Sequence, residues 1–440
     1  MPDHHGGQVV MTENEPTLRN GPATSLGERT VRCIEEMAPV VPMAVCFMWG
    51  VLLILLSFAL DLAKFQVGSK WLGWIYEINW SFTFAFFIPL SVYLCSSALT
   101  AVPQVIATLA RGRMVRNESG DLAGSGALIS SWRKLAGKTA YLALALGALG
   151  FAVSWVMYFA YCIGPLAGWF KVGSMSWQNA TTIAPGVSNR ASLAVFGFLA
   201  YTSQGAAICI FIYYILIIFT FAVWVFQNTQ IEPNSGIYPD LSETDTRFGF
   251  ERFEPLIENV LLASIALFFQ FFMTRLYYIY ISDKASTSMF DLIARTMGPG
   301  FIQDVGALFL KRDPSIFAFG SDLHFQDTMM ITATLIVVLS AFLVPAVIVR
   351  QAAWRSRVKL QEMIQSAPDV SSRWYNLTAD EAQTKLEKMT FWPIRYAEPI
   401  QLLLLFLLAG ACFFAYKLSL LLVGAILYKG ACRFLEVFKG

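Results

Sequence analysis

The chain has 440 residues, of which 56% are hydrophobic and 14% are charged, with a formal net charge of +2 and a mean hydropathy of +0.55. A soluble domain averages about 25% charged residues, so this composition excludes an ordinary water-soluble fold. Several apolar runs exceed the roughly 18 residues that mark a bilayer span, and they lack the alternation of barrel strands. The sequence therefore predicts an all-α, polytopic integral membrane protein with about seven transmembrane helices and short amphipathic surface helices.

The first half of the chain predicts a tail followed by a membrane bundle. Residues 1–38 are polar and predict a disordered cytoplasmic tail. The bundle covers residues 39–226, and Pro89 predicts a kink in its second span. Trp71, Trp74 and Trp80 are typical of an interfacial belt, whereas Ala143, Gly147 and Gly150 offer a small-residue surface to another helix. The four predicted spans are residues 40–60, 80–102, 140–166 and 193–225.

An acidic and aromatic cytoplasmic loop is predicted over residues 227–255. Its end alternates phenylalanine rings with charge just before the fifth span. Acidic loops do not bind anionic lipid, so we expect this segment to dock either onto the chain's own basic loops or onto a partner protein. The candidate docking residues are Phe248, Phe250, Arg252, Phe253 and Glu254.

The second half predicts two central spans, residues 256–278 and 329–349, separated by an outer amphipathic segment over residues 281–327. A basic cytoplasmic loop follows over residues 350–399, and the capping box Thr378 to Glu381 predicts a short helix in it. Residues 400–440 contain a final span and a tail. Whether residues 400–428 cross once or form a hairpin is open, and with it the side of the carboxyl terminus.

The distribution of lysine and arginine predicts the orientation. Nineteen of them fall in the tail and the loops of one side, against nine on the other. The positive-inside rule therefore places the amino terminus in the cytoplasm, with the chain in the cell membrane, or in the inner membrane of a Gram-negative bacterium.

Polar residues inside the predicted spans are the first functional candidates, because polar groups in lipid are costly. Asn259, Gln270 and Tyr277 share one face of the fifth span, which predicts either a hydrogen-bonded helix contact or the lining of a polar path. Glu258 and Arg275 lie about 25 Å apart along that helix, so we interpret them as interfacial anchors that cannot pair. The last span contains Lys417, which either snorkels to the interface or needs a partner.

An outer-face group is the remaining chemical candidate. Asp322, His324 and Asp327 could bind a metal ion or act as an acid–base pair, although their spacing matches no ligand motif and Asp327 also fits the N-cap of the sixth span. The chain lacks a P-loop, a nucleophile elbow and a zincin motif, and it has three histidines. The sequence therefore predicts no cofactor, no catalytic residue and no nucleic-acid binding.

Three functions remain possible from the sequence. The favoured one is a subunit or scaffold of a membrane-associated complex, which contacts the bilayer and engages a protein partner or a second copy through its cytoplasmic loops. The first alternative is a channel or transporter that uses the polar stripe around Gln270. The second is a membrane enzyme with the outer-face Asp/His site.

Overall fold

The computed structural model describes residues 25–264 except 68, 77, 113, 117–123, 159–189 and 230–235, then residues 266, 287–288 and 291, and residues 325–391. This part is mostly helical. Its helices are α1 (Leu26–Glu36), α2 (Val40–Ala59), α3 (Ile78–Phe82), α4 (Ile88–Arg111), α5 (Ser125–Tyr158), α6 (Arg190–Asn228), α7 (254–264), α8 (Phe325–Ser366), α9 (Asp369–Tyr375) and α10 (Ala379–Glu387). Its strands form two antiparallel pairs, β1 (Phe65–Val67) with β2 (Lys70–Leu72) and β3 (Val115–Arg116) with β4 (Gly236–Ile237).

Four helical stretches of the described chain are long and apolar enough to cross a membrane. They are Val40–Ala59, Trp80–Arg111, Ser125–Val156 and Val195–Asn228. They coincide with the first four predicted spans and confirm the class of helical membrane protein. The total of seven stays a prediction, since residues 267–286 and 392–440 lie outside the described part.

The second span contains a local irregularity next to Pro89. Residues Thr83–Phe87 form a π-helical turn, and the backbone N–H of Ile88 bonds to the carbonyl of Thr83, five residues back. Proline has no N–H and cannot continue the regular ladder. A wider turn before it accommodates the missing bond, so the disturbance predicted at Pro89 takes the form of a π turn.

Trp74 departs from the predicted interfacial belt. Its side chain is fully buried, with the ring of Phe196 edge-on at 4.9 Å between centroids and the ring of Phe84 stacked at 6.0 Å. The interfacial prediction is therefore wrong for Trp74. An aromatic ring of this size gains more from packing between two helices than from the headgroup region, and here it joins α6 to the start of the second span.

The small-residue surface of α5 is confirmed as a helix contact. A side chain at Gly147 would meet Cys209, and one at Gly150 would meet Ile208. From the opposite helix, Gly205 faces Phe151 in the same way. Glycines on both partners therefore let the backbones of α5 and α6 approach closely.

Helix α1 corrects the prediction of a disordered tail over residues 1–38 for its last part, residues 25–38, whereas residues 1–24 lie outside the described part. Ser25 caps the helix by accepting a hydrogen bond from the backbone N–H of Glu28 at 3.2 Å. The Glu35 carboxylate accepts hydrogen bonds from Trp132 Nε1 and Arg133 Nε, both at 2.7 Å. The helix is ordered because α5 buries its apolar side and neutralises its one enclosed carboxylate.

The contacts show which helix ends share a side of the bundle. The end of α4, the start of α5 and the end of α6 lie together with α1, the start of α7 and the end of α8. At the other end, Trp74 meets Phe196 and Tyr158 meets Phe198. This grouping places the described basic segments on one side, which we call the loop side. Its orientation in the cell stays a prediction.

Candidate functional site

The loop side is covered by segments that fold onto one another. We call this assembly the loop cap: residues 114–116, 236–253 and 369–391, which cover the ends of α4, α6 and α8. Its centre is the β3–β4 pair, in which Val115 lies opposite Ile237 and Arg116 opposite Gly236. The backbone N–H of Tyr238 extends the pair by donating to the carbonyl of Met114 at 2.7 Å. Two loops that are about 120 positions apart in sequence are thereby joined through their backbones.

Arg252 ties the loop cap to the end of α4. Its Nη1 donates to the carbonyl of Thr108 at 2.9 Å, and its Nη2 bonds to the Glu243 carboxylate at 2.8 Å. The Thr108 carbonyl also accepts from the backbone N–H of Gly112 at 2.8 Å, so the guanidinium is its second donor, and the partial negative charge at the carboxyl end of a helix makes a cation favourable there. Gly112 leaves the space for it, because a side chain at that position would overlap the guanidinium.

Arg247 closes the loop on itself. Its guanidinium bonds to Asp245 at 2.8 Å and to Glu254 at 2.8 Å, and the side chain is nearly buried. The hydrogen bonding that the guanidinium donates to Asp245 is the largest of the effects that raise the pKa of Arg247 above its ordinary value. The enclosed cation is therefore matched by two carboxylates, which a partly buried charge requires.

The three phenylalanines of the segment lie inside the chain. Phe248, Phe250 and Phe253 are buried, and the ring of Phe253 lies 6.0 Å from that of Phe221 on α6. The backbone turns inward here because Phe248 and Gly249 both have positive φ, +46° and +93°. The structure places these rings in the internal packing that the sequence left as one alternative. Partner binding by this segment stays a prediction.

Helices α9 and α10 complete the loop cap from the other end of the chain. Tyr375 Oη donates to the carbonyl of Pro239 at 2.8 Å, and Lys385 Nζ donates to the carbonyl of Leu241 at 2.6 Å. Ser356 on α8 donates to the carbonyl of Ile237 at 2.7 Å. Each contact satisfies a backbone carbonyl between residues 237 and 241, a stretch that has no helix or strand after Ile237.

A buried cation–aromatic cluster lies beneath these helices. The Arg116 guanidinium lies over the ring of Trp374 at 3.9 Å, and Lys359 Nζ lies 5.4 Å from the ring of Tyr238. Burial raises the pKa of Tyr238 to about 12 and lowers the pKa of Lys359. The aromatic faces offer the two cations a favourable surface in place of water.

The capping box that the sequence predicts is present. Thr378 Oγ1 accepts from the backbone N–H of Glu381 at 3.2 Å, and the Glu381 carboxylate accepts from the backbone N–H of Thr378 at 2.9 Å. This hydrogen bond lowers the pKa of Glu381. The short helix predicted after it is α10, which buries Ala382 and Leu386 on one face and ends at Glu387.

Polar groups inside the bundle are mostly used for packing. Ser96 shares a hydrogen bond with Tyr214, Ser91 donates to the carbonyl of Ala263 at 3.3 Å, and Trp49 Nε1 donates to Ser203 at 2.7 Å. Each bond joins two different helices. Side-chain hydrogen bonds of this kind hold helices together in lipid.

The predicted site residues are only partly covered by the structure. Glu258 and Asn259 lie in α7 and are half-buried. Asp327 lies within α8, which is already helical at Phe325. The N-cap role predicted for Asp327 is therefore wrong. Gln270, Arg275, Tyr277, Asp322, His324 and Lys417 lie outside the described residues.

Three features of the loop side were not found from the sequence. They are the Arg116–Trp374 contact, the Tyr375–Pro239 bond and the Glu35 cluster on α5. Adjacent aromatics in a basic loop, Trp374 and Tyr375, were the one local signal. The residues they contact are more than 130 positions away, and no local pattern indicates such pairs.

Within the described ranges, no group of three or more His, Cys, Asp or Glu residues could hold a metal ion. No family model, no curated protein and no solved structure matches this chain.

Proposed function

We propose that this chain is a non-catalytic membrane subunit or scaffold that binds a partner protein through its loop cap on the cytoplasmic side. The observation that supports the proposal is the cap itself. Segments from three loops are tied together by backbone pairing, buried arginines and aromatic contacts. A surface that is ordered before binding loses less conformational entropy when a partner arrives, which favours recognition.

The outer surface of the loop cap has the composition of a reversible interface. The exposed residues carry both signs of charge: Asp369 and Arg373 on α9, Asp380 and Glu387 on α10, and Lys388 just after α10. Mixed charge on a rigid rim favours selection of one complementary partner and a fast encounter with it. The hydrogen bonds within the bundle are consistent with a supporting role, since they join helices to one another.

Capture of the partner tests the proposal. The tagged chain is purified in a mild detergent, beside Arg373→Glu on the cap and Lys134→Glu on the exposed side of α5. We expect one stoichiometric partner with the parent chain and with Lys134→Glu, and its loss with Arg373→Glu, because the reversed charge repels the partner. A monodisperse monomer without a partner, or equal capture by all three, would contradict the proposal.

Two further substitutions separate this function from the alternatives. Gln270→Leu should lower stability or assembly, as expected for a hydrogen-bonded helix contact; a loss of solute flux with an intact fold would favour the transport alternative instead. His324→Ala should leave any activity and metal content unchanged, and a loss of either would favour the membrane enzyme.

A further inference from the structure

An exposed tryptophan and an exposed arginine lie where α8 leaves the bundle. Trp354 is 53% exposed although it is a large aromatic residue. Its neighbour Arg355 is also exposed, and the Arg355 guanidinium carbon lies 4.3 Å from the centre of the Phe226 ring on α6. The two residues therefore mark the loop-side end of the groove between α6 and α8.

The end of α6 gives the depth of this position in the membrane. Phe226 lies two residues before the end of the apolar stretch Val195–Asn228, and the next residue, Gln227, is polar and exposed. The guanidinium that contacts its ring lies at the level where the hydrocarbon region gives way to headgroups. On α8 the predicted span 329–349 ends just before Trp354, at the same level.

One face of α8 connects this position with the lipid. Val344, Val347, Trp354 and Val358 fall within about 80° of one another at 100° per residue. Val344 is 36% exposed, so this face lies open beside the bundle within the predicted span. Its continuation at Trp354 points to lipid as the occupant, since Val347 and Val344 lie on the same stripe about two and three turns earlier, within the predicted span.

The chemistry of the Arg355 side chain indicates which class of lipid would bind at this position. Among the described residues, no carboxylate is paired with its guanidinium, which is held instead by the face of the Phe226 ring. A planar guanidinium stacked on an aromatic ring keeps its N–H groups free in a fixed fork, and this fork matches two phosphate oxygens. Trp354 can lie in the headgroup layer beside it.

We propose that Arg355, stacked on Phe226 and flanked by Trp354, binds the headgroup phosphate of an anionic phospholipid at the loop-side end of the α6–α8 groove. The acyl chain lies against Val344 and the exposed ring of Phe219, which is two turns before Phe226 on α6. A bound lipid would thus bridge the two helices that support the loop cap. This inference does not depend on the proposed partner protein.

Lipid selectivity tests the site. The purified chain is incubated with equimolar phosphatidylglycerol and phosphatidylcholine, and native mass spectrometry measures the ratio of the two bound lipids. We expect the parent chain to retain phosphatidylglycerol preferentially and Arg355→Gln to lower that preference about fivefold, the effect of one basic residue near an anionic leaflet. Arg373→Gln, which removes an exposed arginine of the loop cap, should leave the ratio unchanged.

Two additional measurements distinguish a lipid site from a general anion site and from an effect of misfolding. Arg355→Lys keeps the charge but loses the fork, so we expect an intermediate preference, and its melting temperature in phosphatidylcholine should equal that of the parent. Inorganic phosphate should not displace the lipid. Equal ratios for the parent and Arg355→Gln, no preference in the parent, or displacement by inorganic phosphate would each overturn the proposal.

Discussion

Gly249 is the residue on which the inward turn of the loop cap depends. Its φ of +93° lies in the left-handed region, and a side chain there would overlap the sulfur atom of Met114. Phe248 just before it also has a positive φ, so two successive residues depart from the common conformations. The buried positions of Phe250 and Phe253 follow from this turn.

Replacing Gly249 by alanine should therefore destabilise the loop cap. The left-handed conformation alone costs an L residue about 1–2 kcal/mol, and the overlap with Met114 adds to that cost. We expect Gly249→Ala to lower the free energy of unfolding by about 2 kcal/mol or more, measured by denaturant titration in detergent. Gly124→Ala is the matched control, because nothing lies within 4 Å of a side chain there. Equal stability of the two variants would contradict this account of the turn.

Arg252 gives a second test at the same scale. Its guanidinium is a second donor to the carbonyl of Thr108, beside the N–H of Gly112, and it neutralises Glu243, so Arg252→Met removes both contacts. We expect a loss of about 1–2 kcal/mol, since both sites are partly exposed to water. Hydrogen exchange should become faster at residues 108–112, and unchanged protection there would show that the arginine does not cap α4.

The sequence indicated which residues of this segment matter but not what they contact. Arg252 and Glu254 were recognised from the alternation of rings and charge. The partner of Arg252, the carbonyl of Thr108, could not be predicted because it lies 144 positions away, and the partner of Glu254, Arg247, is seven positions away but is brought to it by the turn at Phe248 and Gly249.

At the scale of the elements, α5 and α6 form the most extensive helix pair of the described bundle. Gly147 and Gly150 on α5 and Gly205 on α6 remove the side chains that would keep the backbones apart. The small-residue pattern predicted this surface correctly. It did not identify the partner, and the predicted start of the span at residue 140 missed the fifteen residues of α5 before it.

Adding a large side chain at the α5–α6 contact should separate the helices. Gly147→Ile would place its side chain against Cys209, and we expect a loss of about 1–3 kcal/mol from overpacking. Ala148→Ile is the matched control on the adjacent, exposed position, where the added methyl groups face lipid and should change stability by less than about 0.5 kcal/mol. Similar melting temperatures for both variants would argue against this packing.

Helix α1 shows why the predicted boundary of the disordered tail was wrong. The polar composition of residues 1–38 suggested disorder, but Val31 and Ile34 recur at helical spacing and pack against the bundle. An average composition over a window hides a short amphipathic helix when the helix that it packs against is far away in the sequence. The buried Glu35 is explained by the tryptophan and arginine that it meets on α5.

At the scale of the whole molecule, the apolar runs predicted the class of protein and its first four spans. The side assignment from lysine and arginine agrees with the helix ends that meet on the loop side. What local pattern could not provide is the loop cap, because its contacts join residues near 115, 237 and 375. Hydrophobic runs indicate which segments cross the membrane, whereas the fold of the loops depends on specific polar partners.

The cellular orientation can be tested at Cys33, which is exposed on α1. If the amino terminus is cytoplasmic, a membrane-impermeant maleimide should label Cys33 only after cells are permeabilised. Comparison with Cys33→Ser identifies the label that belongs to this residue. Labelling of Cys33 in intact cells would reverse the orientation and place the loop cap outside.

The central claim is that the distant loops fold into one cap, and a designed disulfide tests it most directly. Thr246 and Thr390 are exposed, their hydroxyls lie 3.1 Å apart and the backbone N–H of Thr390 donates to the carbonyl of Thr246 at 2.9 Å. In a Cys33→Ser background, Thr246→Cys with Thr390→Cys should form a disulfide under mild oxidation, whereas Thr246→Cys with Thr384→Cys should not. A disulfide in the first pair alone is the result we predict. Failure of the first pair to cross-link, or equal cross-linking of both, would contradict the cap.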